Sequence, residues 1–189
     1  MKYFILLLLL PLTKYAQTSI KGFLSAMPNT EISLLQYNGF NSNVVTSTYT
    51  TTDGSFHLQF HSDNLAIGYL LTENSKPFIV VLSGEDIFLK GETLSQPETI
   101  KIIEGKENQL FEQYALEHPK REQTLSAWDY LLKMYKTDTL FKNKKSIVKN
   151  IEKEIISIKN EDDYFLKNLH QNSYVSWYLP VRKLVSSVP

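Results

Sequence analysis

Near residue 103 the spacing of apolar residues changes period. Before it, apolar side chains recur at every second position in short runs; after it, they recur at every third or fourth. A strand points alternate side chains to one face, whereas a helix brings positions i, i+3 and i+4 together. The chain is therefore expected to be α+β, with an antiparallel β-sandwich over residues 17–103 followed by a helical region over 104–189. Charge density follows the same division: residues 1–103 hold 6 Lys/Arg and 8 Asp/Glu, and residues 104–189 hold 14 and 12.

The first part predicts eight short strands. Ser19 to Ala26 alternates, with Ile20, Gly22, Leu24 and Ala26 on one face. Thr30 to Tyr37 follows, and Asn38-Gly39 supplies a turn pair that tolerates positive φ. Asn43 to Thr52 is largely β-branched, which suits a pleated surface. After a second turn at Asp53-Gly54, Ser55 to His61 alternates strictly: Phe56, Leu58 and Phe60 on one face, His57, Gln59 and His61 on the other. Ala66 to Thr72, Pro77 to Leu82, Asp86 to Lys90 and Thr99 to Ile103 complete the set. Such spacing, with Gly, Pro and Asn between the runs, is the pattern of a sandwich or barrel.

The second part predicts helices. Leu110, Phe111, Tyr114 and Ala115 form a stripe that Pro119 is expected to interrupt. Leu125, Trp128, Leu131, Leu132 and Tyr135 form another. Thr137 or Asp138 is a candidate cap for a long helix ending near Leu169, with Val148, Ile151, Ile155, Ile158, Phe165 and Leu169 along its seam and Asp162 at a seam position. The seam covers about three heptads, which favours a helix hairpin over a coiled-coil dimer. Ser173 can cap a last segment from Tyr174 to Val188, which Pro180 is expected to kink or split. Apolar residues surround most of that segment, and a helix of this kind wants cover on most sides. Val175, Trp177, Tyr178, Leu179 and Leu184 are accordingly the candidate partner surface, and the chain reads as one part of a longer polypeptide; the alternative is that this segment packs under the sandwich.

Residues 1–16 read as a secretory leader: Lys2, an apolar run including Leu6 to Leu10, and a small residue, Ala16, before Gln17. The run is about half the roughly 20 residues a bilayer requires. The expectation is cleavage before Gln17, leaving 18 basic and 20 acidic residues, with location in the periplasm or cell envelope and no membrane span after cleavage.

Composition removes several function classes. There is no cysteine, so thiol catalysis, disulfides and cysteine-held metals are excluded for this chain. A net charge of zero argues against a general nucleic-acid binder, which needs a basic face. His57 and His61 share a strand face but stand about 13 Å apart, too far for one ion. Glu161-Asp162-Asp163 lacks the glycine turn and ligand spacing of a calcium loop and reads as a solvated charge run. Lys142, Lys144, Lys145 and Lys149 lie on a helix that also carries Glu152 and Glu154, and read as a solvated face. Tyr37, Phe40, Tyr49 and Tyr69 could serve as a stacking platform or as core. No Gly-x-Ser-x-Gly elbow and no glycine-rich phosphate loop occurs. No catalytic residue, cofactor or metal site is assigned.

Ile20-Lys21-Gly22, Thr52-Asp53-Gly54-Ser55-Phe56-His57-Leu58, Gly68-Tyr69-Leu70, Asp86-Ile87-Phe88-Leu89-Lys90-Gly91 and Glu107 to Tyr114 together form a familiar series. It resembles the domain of unknown function that precedes the thioredoxin-like domain in secreted bacterial thiol–disulfide oxidoreductases of the TlpA/ResA type. Asn172 to Trp177 resembles the helix start found between those two domains. The strand part is also similar to prealbumin-like and carboxypeptidase-regulatory-like sandwiches. The family's redox pair is a Cys-x-x-Cys in the downstream domain, and this chain has no cysteine, so no catalytic residue carries over. The resemblance implies a non-enzymatic accessory module in the cell envelope, partnered by a thioredoxin-like domain in cis or an envelope protein in trans. The alternative is a stand-alone envelope module holding a glycan or small ligand on the sandwich.

Overall fold

The computed structural model describes residues 18–38, 41–61, 65–73, 75–141 and 143–186. The expected leader, the turn residue Gly39, Phe40 and Lys142 lie outside the described residues.

Among the described residues, eight strands precede three α-helices: β1 (Thr18–Leu24), β2 (Glu31–Asn38), β3 (Asn41–Tyr49), β4 (Ser55–Phe60), β5 (Ala66–Leu71), β6 (Phe78–Leu82), β7 (Ile87–Gly91), β8 (Lys101–Glu104), α1 (Lys106–Thr137), α2 (Lys145–Lys167) and α3 (Tyr174–Ser186). The strands form two four-stranded sheets, ordered β4-β1-β7-β8 and β3-β2-β5-β6. The inner faces of both sheets meet in one core that joins Ile20, Leu58 and Leu89 from the first to Ile32, Leu70 and Val80 from the second. The alternation in β4 is realised: Phe56, Leu58 and Phe60 are buried, while His57 and His61 are exposed.

One ladder departs from the antiparallel expectation. β1 pairs with β7 in parallel, from Ile20 opposite Ile87 to Leu24 opposite Gly91. The entire second sheet intervenes between these two strands in sequence. Hairpin signals therefore cannot set their relative direction, because a parallel pair needs a long crossover.

The second sheet is covered on its outer face as well. Ile67, Ile79 and Val81 point away from the sandwich core into a second core with Phe111, Tyr114, Leu169, Val175 and Leu179. This explains the unbroken apolar run of β6, in which Val80, Val81 and Leu82 are buried consecutively. A strand packed on both faces has no solvent side to alternate toward. The molecule thus has three layers: sheet, sheet and helices.

The helices correct three expectations. First, α1 runs unbroken through Pro119. An interior proline costs about 3 kcal/mol through the lost donor and the clash with the preceding turn, and packing on both sides of it offsets this. Phe111 and Tyr114 are held in the second core, and His118 and Arg121 engage Asp162 of α2. Second, α2 begins at Lys145 and has no side-chain cap. Asp138 instead accepts the Leu140 N–H at 2.8 Å within the connecting loop. α1 and α2 form an antiparallel hairpin, pinned at one end by His118 with Asp162 and at the other by Lys136 with Glu152. Third, α3 continues through Pro180 as one helix, so the proline does not split it.

The candidate partner surface on α3 divides in two. Val175 and Leu179 are fully buried in the second core, so they are not surface. The physical reason is that α3 lies on the outer face of the second sheet and turns one stripe inward. Tyr178 is half-buried beside them, whereas Trp177 and Leu184 are 61% and 67% exposed.

Candidate functional site

The first two turns of α1 are fixed against both sheets by side chains that replace missing strand partners. β6 and β8 are the edge strands that flank α1. At β6, the buried Asn108 accepts the Val81 N–H at 2.7 Å and donates to the Val81 carbonyl at 2.8 Å. Its amide does what a neighbouring strand would do. At β8, the Glu112 carboxylate accepts the Ile102 N–H at 3.3 Å and Gln109 donates to the Ile103 carbonyl at 2.9 Å. Burial pushes the Glu112 carboxyl above its usual range, against the lowering effect of the Ile102 N–H and Lys101.

Two further carboxylates set the helix starts. Glu85 accepts the N–H groups of Lys106 and Glu107 at 2.9 and 2.8 Å, satisfying the open end of α1. Glu107 in turn accepts the Val175 N–H at 3.0 Å at the start of α3. Both place negative charge where a helix N-terminus favours it. Burial raises the Glu107 carboxyl, and neighbouring Glu85 adds to this.

α1 does not close the whole edge. Between β6, β8 and α1 lies an open groove of about 690 Å³. Its walls are Phe78, Ile79, Ile100, Ile102, Phe111 and Leu116, with Arg182 of α3, Lys101 and Glu112 among its polar groups. The Arg182 guanidinium sits 5.3 Å from the centre of the Phe111 ring. Such a groove can hold an apolar chain.

A second, polar recess of about 400 Å³ opens between the helices beside Asp162. Asp162 is 4% exposed, which corrects the reading of residues 161–163 as a solvated run. Its Oδ1 lies 3.0 Å from His118 Nδ1 and 3.6 Å from Arg121 Nη1, and its Oδ2 lies 2.7 Å from Lys183 Nζ. Burial alone would raise this carboxyl, but the hydrogen bonds from Lys183 and His118 outweigh it and hold it below the ordinary value. His118 stacks on Tyr114 with ring centres 4.7 Å apart. Burial, reinforced by the Asp162 charge, pushes the Tyr114 hydroxyl up to about 12. Ser126, in the recess, donates to its own helix's Glu122 carbonyl. With its carboxylate engaged by cations from α1 and α3, the cluster ties three helices together.

The remaining residues singled out from sequence fall elsewhere. Asp86 accepts both the N–H and the hydroxyl of Ser19 at 2.8 Å, joining the first strand to the start of β7. Lys144, Lys145 and Lys149 are exposed. Tyr37 and Tyr69 pair edge to face at 5.1 Å, and Tyr49 is exposed. Among the described residues, no group of three or more His, Asp or Glu side chains is placed to hold a metal ion. Among the described residues, no helix is long and apolar enough to cross a membrane.

Sequence reasoning missed Asn108, Glu112 and Arg182. Asn108 left one signal: it lies three residues before Phe111, on the buried stripe of an amphipathic helix, where a polar residue needs a partner. No protein-family model matches this chain, and no similar curated protein or solved structure was found.

Proposed function

We propose that the chain is a non-catalytic recognition module whose groove takes an apolar segment of a partner protein. The observation that supports this reading is the groove between β6, β8 and α1, walled by Ile79, Ile102, Phe111 and Leu116. Apolar surface left open in this way marks an interaction site. In this reading the sandwich is of the prealbumin-like kind, the setting is the cell envelope, and the partner is a thioredoxin-like domain in cis or an envelope protein in trans. The support for that setting is the leader-like start of the sequence and the family resemblance. A titration of the full chain with short apolar peptides, followed by amide NMR, tests the proposal. The resonances of Phe111 and Leu116 should move, and Leu116→Arg, at a site 55% exposed, should abolish the response without unfolding the chain. No response to any apolar peptide would reject it.

A second reading, a glycan held on the sandwich, is supported by Tyr37, which is 53% exposed and pairs with Tyr69. A ring open to solvent beside another ring can stack on a sugar. Tyr37→Ala should then weaken oligosaccharide binding and leave the peptide response unchanged.

A further inference from the structure

We propose that the occupant of the groove is an extended peptide of a partner protein that adds to the edge of β6, with an acidic side chain directed to Arg182. This rests on the reading of the groove as a recognition site and specifies its ligand. Along a strand, the N–H and C=O of every second residue point to the same side. Val81 points both groups away from β5, because Asn108 binds them. Ile79, two residues earlier, presents its own N–H and C=O on that side and lines the groove. Among the described residues nothing hydrogen-bonds to either group. One edge strand thus has its far half closed by a side-chain amide and its near half open beside an apolar recess. A main chain is the ligand that supplies an acceptor and a donor at strand spacing, and alternate side chains of an added strand would enter the recess between Phe111 and Leu116.

Charge supplies the remaining preference. Arg182 lies at the groove and, among the described residues, forms no ion pair with a carboxylate; its guanidinium rests on Phe111. Glu112 is already held by the Ile102 N–H. An Asp or Glu of the peptide would complete Arg182 through a charge-assisted bond.

The test uses the full chain and a capped hexapeptide that alternates valine and threonine and ends in glutamate. Binding should slow hydrogen exchange at the Ile79 amide. N-methylation of the central peptide valine should weaken binding roughly tenfold, the effect of losing one or two main-chain hydrogen bonds. Replacing the peptide glutamate by lysine should weaken it several-fold, and Arg182→Glu should reverse that preference. If the N-methylated peptide binds equally and Ile79 exchange is unchanged, strand addition is overturned while apolar recognition stands. If dodecanoate binds and the peptides do not, the groove is a site for an amphiphilic carboxylate and the proposal is wrong. If neither binds, or Leu116→Arg changes nothing, the recognition reading itself falls.

Discussion

Lys183 on α3 holds its Nζ 2.7 Å from the Oδ2 of Asp162 on α2. On its other oxygen the same carboxylate meets His118 of α1 at 3.0 Å. Three helices therefore converge on one buried charge. Removing one partner of a buried ion pair costs about 3–5 kcal/mol, because the remaining charges lose their compensation. Asp162→Asn keeps the volume and should cost about that much in urea unfolding. Lys183→Met should cost less, since Lys183 is partly exposed.

Asp162 also predicts an acid-side effect. Its folded carboxyl lies below the ordinary 3.8. Its contribution is complete above about pH 4 and is lost as pH falls through the folded value. Stability measured below pH 4 should fall more steeply in the native chain than in Asp162→Asn.

Glu107 and Glu112 have the opposite sign. Burial raises both above 4.5, so each is costly as an anion in the folded state. That cost is present at neutral pH, is relieved as pH falls through the folded value, and is gone below about 4.5. Both accept backbone N–H groups, a role a glutamine oxygen can keep. Glu107→Gln and Glu112→Gln should leave stability at pH 7 unchanged or higher, and remove the gain seen in the native chain between pH 7 and 4.5. A loss of stability in both variants at pH 7 would show that the anion itself is required.

Asn108 makes two hydrogen bonds to one edge residue, Val81, and is 2% exposed. Each buried main-chain group left unpaired costs about 1–3 kcal/mol. Asn108→Ala should therefore cost several kcal/mol, well beyond an ordinary surface substitution. Asn108→Asp should be worse at neutral pH, because a carboxylate accepts from the Val81 N–H but repels its carbonyl. Thermal unfolding of both variants, with exchange at the Val81 amide, checks the ranking.

The strands were legible because one face of each meets a core: the Phe56-Leu58-Phe60 alternation states its own register. β6 was legible as an apolar run, but the cause of that run, the helices on the far side of the sheet, was not. The groove was harder to foresee. It arises where α1 lies across two sheet edges, and no local pattern encodes which edge residues a helix leaves open. Asp162 misled for a related reason. Beside Glu161 and Asp163 it looks like part of a charged surface, yet its seam position carries it inward to Arg121, His118 and Lys183, which lie 41, 44 and 21 residues away in sequence. Pro119 is expected from sequence to interrupt its helix, and Pro180 to kink or split its own, because local propensity disfavours proline inside a helix. The contacts that override that propensity are tertiary.

The two faces of α3 give the last prediction. Val175 and Leu179 are fully buried against Val81, Phe111 and Tyr114. Truncating buried aliphatic side chains to alanine typically costs about 2–5 kcal/mol for leucine and somewhat less for valine. Leu179→Ala and Val175→Ala should therefore destabilise the helical layer, and removal of residues 174–189 should do so more severely by uncovering the outer face of the second sheet. Trp177 and Leu184 are 61% and 67% exposed, and surface changes of this kind usually stay within about 0.5 kcal/mol. Trp177→Ser and Leu184→Ser should leave the unfolding midpoint nearly unchanged. If these two residues are a contact surface, their replacement should also reduce self-association seen by light scattering in the native chain. Equal destabilisation by all four single substitutions would mean that α3 is enclosed on both sides, with Trp177 and Leu184 buried in solution by another chain.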